Sequence, residues 1–180
     1  MTRVAIQGVQ GSYSDEAVCE LFGAAATLVE CESFEETFEA VRSGSAENAV
    51  IPVENKIVGE IRRPVELMRD GEFRVLDTLS LRVQHVLVGT PTSEVSSLTS
   101  VRSHVEALKQ CRRFFVGNPH IVPVVGADTA SSIRRIVTDE DPGNGAIGSR
   151  RAAQLYGAKI LMTGVADDIY NWTTFCVIGN

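Results

Sequence analysis

The sequence predicts an α/β fold made of two lobes. Short apolar runs typical of buried strands alternate with amphipathic helical patterns along the whole chain of 180 residues. No fixed period recurs, which argues against a repeat architecture. A segment rich in serine and proline at residues 90–100 breaks the alternation, and we place the division of the lobes near residues 78–90. The expected first lobe comprises residues 1–78 and about 165–180, and the second lobe residues 79–164.

The N-terminal half shows the alternation clearly. Strands are expected where apolar residues run together, and helices where capping residues precede apolar positions at helical spacing. Ser33 with Glu36 makes a capping box that starts one helix, and Gly44 ends it. The predicted elements are a strand at 4–6, a helix to about 22, a strand at 27–31, a helix from 34, a strand at 48–53, a helix at 64–69 and strand-rich sequence at 74–88.

The C-terminal half continues the pattern. Ser103 fits the N-cap of a single helix that carries apolar residues as far as Phe115. Asp128 and Ser149 cap the next two helices, and His85 is expected to be a half-buried strand histidine with a satisfied hydrogen bond. The remaining predicted elements are strands at 121–125, 145–148, 160–162 and 171–178, of which the last is expected to return to the first lobe.

Composition excludes several classes of function. The net charge is −6 without a basic run, so nucleic acid is not an expected partner. No apolar stretch approaches the ~20 residues that a membrane span requires, and the sequence enters a strand at once, so no signal peptide is expected. The four cysteines lack metal-ligand spacing and are expected to be reduced, mostly buried thiols of a cytoplasmic protein: Cys19, Cys31, Cys111 and Cys176.

The stretch at residues 49–56 is the strongest candidate for a binding site. Its apolar start predicts a strand buried on both faces, which is expected to end at Pro52 because proline has no N–H to donate. Glu54, Asn55 and Lys56 follow at once, and open α/β sheets bind ligands beyond the carboxyl ends of their strands. A solvated turn is the alternative. The turn at residues 8–14 also has two possible interpretations. It either precedes a helix N-terminus that faces a ligand, or it is a plain tight turn.

Several stretches, in order, resemble the catalytic domain of prephenate dehydratase, the enzyme that makes phenylpyruvate from prephenate in phenylalanine biosynthesis. They are a Gly-x-x-Gly-x-Tyr-Ser turn, a Pro-x-Glu-Asn motif, a Ser-His motif followed by glutamine and cysteine, and a closing Asp-x-x-x-Asn-x-Thr-x-Phe signature. The matching positions are residues 8–17, 34–55, 103–111, 128–130 and 146–157, with Asp167, Asn171, Thr173 and Phe175.

The resemblance implies two α/β lobes similar to type II periplasmic binding proteins, with the active site in the cleft between them. It implies a carbon–oxygen lyase that needs no cofactor and no metal, acts on a small dianion and forms a homo-oligomer, commonly a homodimer. The family usually carries a regulatory domain that binds phenylalanine. The 180 residues stop before such a domain, so we expect a stand-alone enzyme without a response to phenylalanine.

The resemblance also implies roles for individual residues. Thr173 is expected to donate a hydrogen bond to the hydroxyl that leaves the substrate. The amides of Asn55 and Gln110 are expected to take part in catalysis by binding a hydroxyl or carboxylate. Two further roles are expected from the residues themselves. Ser103, as a helix N-cap, should seat a carboxylate. The Glu54 carboxylate would repel a dianion, so it is expected to orient Lys56 or another donor. The expected substrate-binding residues are Ser103, His104, Glu54, Lys56, Ser12, Tyr13, Thr129, Thr174 and Phe175.

Three departures from the family pattern leave the reaction open. Thr174 replaces the arginine of the closing signature, Lys56 replaces a serine or threonine, and Val105 with Glu106 replaces Pro-Gln. The loss of an arginine with the gain of a lysine suggests that the positive charge has been relocated. A decarboxylase that leaves the ring non-aromatic is therefore one alternative function, and a non-catalytic binding module for small anions is another. The choice between prephenate and its aminated analogue arogenate is also open.

Overall fold

The computed structural model of the protein describes residues 1–71 and 73–180. The chain forms two compact units, Met1–Val83 together with Tyr170–Asn180, and Gln84–Ile169. Each unit contains a β-sheet packed with helices, so the predicted α/β fold class is confirmed. None of the helices in the described residues is long and apolar enough to cross a membrane.

The first unit is built around a mixed sheet. Its elements are β1 (Arg3–Gln7), α1 (Tyr13–Phe22), β2 (Thr27–Cys31), α2 (Phe34–Arg42), β3 (Asn48–Asn55), β4 (Gly59–Glu60), α3 (Arg62–Asp70), β5 (Arg74–Arg82) and β11 (Trp172–Gly179). Within the described residues the strand order is β2-β1-β3-β11-β5, with β4 paired to β3. The strands β2, β1 and β3 run parallel, and the final strand β11 lies antiparallel between β3 and β5.

The first sheet buries apolar side chains on both faces. Because side chains alternate along a strand, neighbouring residues of β11 serve opposite faces. Phe175 and Val177 lie in one apolar cluster with residues of α1, and Ile178 lies in another cluster with residues of α2. Thr173 therefore continues the α1 face of the sheet, and Thr174 continues the α2 face.

The prediction that Pro52 ends its strand is wrong. The strand β3 continues to Asn55, and its pairing with β11 is irregular at the proline. Pro52 lies opposite Phe175 and Glu54 lies opposite Thr174, so Val53 is an extra residue between the two pairs. Such a bulge accommodates the missing N–H of proline and allows the ladder to continue.

The second unit has a five-stranded sheet in the described residues. Its elements are β6 (Val86–Gly89), a 3₁₀ turn (Val95–Ser97), β7 (Ser100–Ser103), α4 (Val105–Lys109), α5 (Arg112–Gly117), β8 (Val122–Val125), α6 (Thr129–Asp139), β9 (Asn144–Gly148), α7 (Arg150–Tyr156) and β10 (Lys159–Thr163). The strand order is β10-β6-β9-β7-β8. The strands β8, β7 and β9 run parallel, whereas β6 is antiparallel to β9 and β10.

The caps that rest on local sequence are largely confirmed. Ser33, Asp128 and Ser149 each accept a backbone N–H at the start of a helix. The second half of the predicted capping box differs, because the Glu36 carboxylate accepts from the N–H of Glu32. Its partner in the prediction was the N–H of Ser33.

The predictions around Ser103 and residues 82–88 are wrong in detail. Ser103 is the last residue of β7, and the N-cap of α4 is His104, whose side chain accepts the N–H of Glu106. The single predicted helix is divided into α4 and α5. The alternating segment at 82–88 is likewise interrupted, since neither β5 nor β6 includes residues 83–85.

Candidate functional site

Three polar residues of the closing signature and the central motif meet in the first unit. Asn55 and Thr173 are directly opposite each other in the β3–β11 ladder. The side-chain N–H₂ of Asn55 donates to Oγ1 of Thr173 at 2.9 Å and to Oδ1 of Asn171 at 2.8 Å. All three side chains are buried. The structure therefore joins two predicted catalytic residues and adds Asn171 to them.

The amide of Asn55 is fully engaged by the protein. Its Oδ1 accepts the backbone N–H groups of Ile57 and Val58 at 3.0 and 3.1 Å. Its two N–H hydrogens go to Asn171 and Thr173, and an asparagine side chain has two donor hydrogens and two acceptor lone pairs. This geometry departs from the expectation that the Asn55 amide binds a substrate hydroxyl or carboxylate. It supports a positioning role for Asn55.

The contact with Asn55 sets the direction of the Thr173 hydrogen bond. Because Oγ1 of Thr173 accepts from Asn55, the hydroxyl hydrogen of Thr173 is directed elsewhere and can be donated. Thr173 is 7% exposed, so bulk water competes little for the hydrogen bond that its hydroxyl can donate. This arrangement fits the predicted role of Thr173 as a donor to a leaving hydroxyl.

Lys56 and Thr174 are two of the positions that depart from the family pattern, and they are held by different neighbours. The Nζ of Lys56 lies 5.6 Å from the centroid of the Tyr170 ring, a cation–π contact. Thr174 lies opposite Glu54 in the ladder, and its hydroxyl is 3.3 Å from that of Ser80. In the described residues no hydrogen bond joins Lys56 to Thr174. An arginine at position 174 would stand across from the Glu54 carboxylate.

The predicted binding turn before α1 contains a carboxylate that sequence reasoning missed. Ser12 is the N-cap of α1, and Tyr13 is its first residue. Asp15, which is 3% exposed, accepts the N–H of Gly11 at 2.8 Å, and its own N–H donates to Ser12. The turn thus carries a negative charge of its own, which disfavours an anion at this helix N-terminus. The Phe175 side chain, another predicted contact, is 2% exposed in the apolar core.

In the second unit, Gln110 is held by His85 and Asp167. His85 is 4% exposed and is therefore more buried than predicted, and its Nε2 lies 2.9 Å from Oε1 of Gln110. The carbonyl oxygen of Gln110 accepts the N–H of Asp167 at 2.7 Å. The Asp167 carboxylate accepts the N–H groups of Arg112 and Arg113 at the start of α5. The structure thus explains why the predicted single helix is broken at Gln110.

The other predicted contacts of the second unit are placed at strand and helix ends. Ser103 donates its hydroxyl to the carbonyl of Ile147 at 2.6 Å and is completely buried. The expectation that Ser103 caps a helix and thereby seats a carboxylate is therefore not supported. Thr129 is the first residue of α6, behind the cap Asp128, whose carboxylate accepts the N–H of Ser131 at 2.7 Å.

The free energy of unfolding should depend on pH through His85. Burial lowers the pKa of His85 below its ordinary value, and the contact with Gln110 offsets this only in part. The unfolded chain, with a histidine pKa of about 6.5, then binds a proton that the folded protein does not. This contribution to stability is present above that pH and is lost as the pH falls below it. Urea unfolding between pH 7.5 and 5.5 should show a weaker pH dependence for His85→Gln; an unchanged dependence would contradict this.

The chain is similar to known proteins along nearly its whole length. The family described as prephenate dehydratase matches residues 4–180. The chain belongs to the prephenate dehydratase family. It is 34% identical, over 98% of its length, to arogenate dehydratase/prephenate dehydratase 1, chloroplastic, of Arabidopsis thaliana, and covers 44% of that protein. The chain thus spans less than half the length of this curated relative.

Solved structures of several proteins share the fold of this chain. The prephenate dehydratase of Arthrobacter aurescens, in complex with L-Phe, superposes with a TM-score of 0.90 at 27% identity, over 99% of this chain and 60% of that one. GqqA, described as a novel type of quorum quenching acylase, gives 0.87 at 29% identity, over 99% and 64%. A Bacillus subtilis lipoprotein to which methionine binding is attributed shares the fold alone, at 0.50 and 6% identity over 99% and 83%.

Proposed function

We propose that this prephenate dehydratase family protein is a lyase that removes water and carbon dioxide from prephenate to give phenylpyruvate. The hydrogen bond from Asn55 to Thr173 carries the proposal, because it leaves the Thr173 hydroxyl as a donor. The family of the chain and the names of its relatives support the same reaction. Arogenate, which appears in the names of several relatives, is the alternative substrate.

The proposed reaction requires the protein mainly to position the substrate and to donate a hydrogen bond to the leaving hydroxyl. The ring carboxylate leaves as carbon dioxide, and the electron pair of the broken bond completes the aromatic ring. The C4 hydroxyl departs and takes up a proton to become water, so the reaction needs no redox partner. Thr173 is a poor acid, so it acts by donating a hydrogen bond to the departing oxygen as negative charge develops there. The side-chain amide of Gln110 serves to orient the dianion.

Product analysis tests the proposal. Purified protein is incubated with prephenate or arogenate, and the products are followed by absorbance in alkali, by chromatography and by carbon dioxide release. Phenylpyruvate from prephenate, or phenylalanine from arogenate, is expected, at a rate that falls in the Thr173→Ala variant. Absence of an aromatic product from both substrates would refute the proposed dehydration.

Thr174 supports a second candidate, a decarboxylase that leaves the ring non-aromatic. An arginine presents a planar pair of donors that fits a carboxylate, and threonine at this position cannot replace it. In the product analysis this activity would release carbon dioxide without forming an aromatic compound. The homodimer and the cytoplasmic location stay predictions, and light scattering in solution tests the first of them.

If Lys56 takes over the role of the missing arginine, Lys56→Ser should raise KM for prephenate by roughly 10- to 150-fold, the equivalent of one charge-assisted hydrogen bond. Thr174→Arg alone should bring little gain, and the double variant should recover much of the loss. A double-mutant cycle on kcat/KM makes the measurement.

Two controls accompany this cycle. Lys159→Ser removes a lysine from β10 and should leave KM close to that of the parent. Glu54→Gln combined with Thr174→Arg shows whether the new arginine pairs with Glu54 across the ladder. Additive effects of Lys56→Ser and Thr174→Arg would mean that the two positions share no ligand group.

A further inference from the structure

A hollow in the second unit collects positive charge. Its volume is about 330 Å³, and residues of β7, of the turn after β8 and of α6 line it. Three of the lining side chains are those of Arg102, Arg134 and Arg135, and among the described residues no carboxylate joins them in the lining. The whole chain is acidic, with a net charge of −6. Because like charges repel one another, this local excess of arginine indicates that the hollow receives an anion.

Arg102 is half-buried and has little to bind within the protein. Its Nη1 lies 3.4 Å from the carbonyl oxygen of Val125, which is long for a hydrogen bond. Within residues 1–71 and 73–180, no carboxylate lies within ion-pair distance of its guanidinium. Gly126 makes room for the side chain, because a Cβ there would lie 3.2 Å from Cγ of Arg102. The stem is therefore packed, while most of the five N–H donors of the guanidinium remain for a ligand.

The two arginines of α6 differ in their partners. Nε of Arg135 donates to Oδ2 of Asp139 at 2.7 Å, one turn further along the helix, so its charge is compensated. Arg134 is exposed, and no carboxylate in the described part of the chain lies within ion-pair distance of it. The hollow therefore holds two uncompensated positive charges, on Arg102 and Arg134.

The hydroxyl groups in the lining already donate to the protein. Ser131 donates to the carboxylate of Asp128 at 2.6 Å, and Ser132 donates to the carbonyl of Asp128 at 2.6 Å. Thr138 donates to the carbonyl of Arg134 at 2.9 Å. The Asp128 carboxylate is outside the lining and also accepts the backbone N–H of Ser131. An anion in the hollow is therefore held by the arginines and not by these hydroxyls.

We propose that this hollow binds the phosphoryl group of a small soluble compound through the guanidinium groups of Arg102 and Arg134. A guanidinium presents parallel N–H donors that match two oxygens of a phosphate. A phosphate monoester carries a charge of about −1.5 to −2 at pH 7, which balances two arginines, and its three oxygens surround one atom. A single carboxylate would leave one of the two positive charges uncompensated.

The overall charge favours a small ligand over a surface of many phosphates. A membrane of anionic lipids or a nucleic acid would repel a chain with a net charge of −6 at long range, whereas a small phosphorylated compound meets only the local charge of the hollow. The inference does not depend on the proposed function, because prephenate carries no phosphate.

Calorimetric titration of the purified protein with glycerol phosphate at low ionic strength tests the proposal. The parent should bind one molecule per chain and saturate below about 10 mM. Arg102→Gln and Arg134→Gln should each weaken binding by roughly 10-fold, the low end for a charge-assisted hydrogen bond. Arg150→Gln makes the same change of charge at the start of α7, outside the lining, and should leave the affinity close to that of the parent. Absence of saturable binding, or equal weakening in all three variants, would overturn the proposal.

Two further titrations test the chemistry and the source of the ligand. Malonate, whose two charges lie on separate carboxylates, should bind more weakly than glycerol phosphate, and vesicles that contain phosphatidylglycerol should not bind. Malonate binding as tight as that of glycerol phosphate, or vesicle binding that both glutamine variants lose, would overturn the assignment of a small phosphorylated ligand. Urea unfolding checks that each variant folds. Because Arg134 is exposed, Arg134→Gln decides the question if Arg102→Gln does not fold.

Discussion

Replacing Thr173 with alanine should lower kcat for prephenate by at least ~100-fold, the low end of the effect of a positioned proton-transfer group. The Asn55 amide donates to the Thr173 hydroxyl oxygen, so the hydroxyl hydrogen can be donated to the substrate. The fold should survive, because the carbonyl of Trp172, 3.3 Å from Nδ2 of Asn55, can accept the hydrogen that Thr173 no longer takes. Steady-state kinetics and urea unfolding measure the two effects, and a stability loss of about 1 kcal/mol is expected.

Two matched variants control the alanine result. Thr173→Ser keeps a hydroxyl opposite Asn55 and should retain most of the turnover. Thr174→Ala removes a hydroxyl from the neighbouring residue, which faces the other side of the sheet, and should leave kcat within a few-fold of the parent. Turnover of Thr173→Ala close to that of the parent would remove the Thr173 hydroxyl from the mechanism.

Asn55→Asp should lower kcat by a similar factor, on the order of 100-fold, while keeping the shape of the side chain. The new carboxylate still accepts the N–H groups of Ile57 and Val58 but cannot donate to Thr173. The Thr173 hydroxyl would then donate to residue 55 and be lost to the substrate. The carboxylate would also face Oδ1 of Asn171, so a stability loss of about 1–3 kcal/mol is expected.

The aspartate variant is compared with two other exchanges. Asn118→Asp makes the same chemical change at the end of α5, and Glu54→Gln makes the reverse change one residue before Asn55. Both should keep kcat within a few-fold of the parent when measured well below the unfolding temperature. Full turnover of Asn55→Asp would mean that the direction of the Thr173 hydrogen bond does not matter for catalysis.

The sequence predicts features of the structure where the signal is local. The caps at Asp128 and Ser149 are found as predicted, because a capping side chain bonds to a backbone N–H three residues further on. The bulge at Val53 was missed, since it depends on how β3 pairs with β11. Ser103 and His104 both lie just before the helix and both have a side chain that can accept a backbone N–H, so the sequence does not separate them. The pairing of β7 with its neighbours keeps Ser103 in the strand and leaves His104 as the cap.

The arrangement of the candidate site depends on contacts between residues that are far apart in sequence. Asn55 and Asn171 are 116 positions apart, and His85 and Gln110 are 25 apart. The family signature points to Thr173 and Asn55, but only the β3–β11 register places them opposite each other, and only the contact between their side chains shows that Asn55 is the donor. Asn171 stood in the signature without a predicted role, and its oxygen proves to hold the amide of Asn55.

A double-mutant cycle of Thr173→Ala and Asn55→Asp, read as kcat for prephenate dehydration, tests most directly whether Asn55 acts through the Thr173 hydroxyl. If it does, Asn55→Asp should lower kcat by less than about 3-fold in the Thr173→Ala background, against on the order of 100-fold in the parent. Losses that multiply in the double variant would contradict this and would show that the two residues act separately.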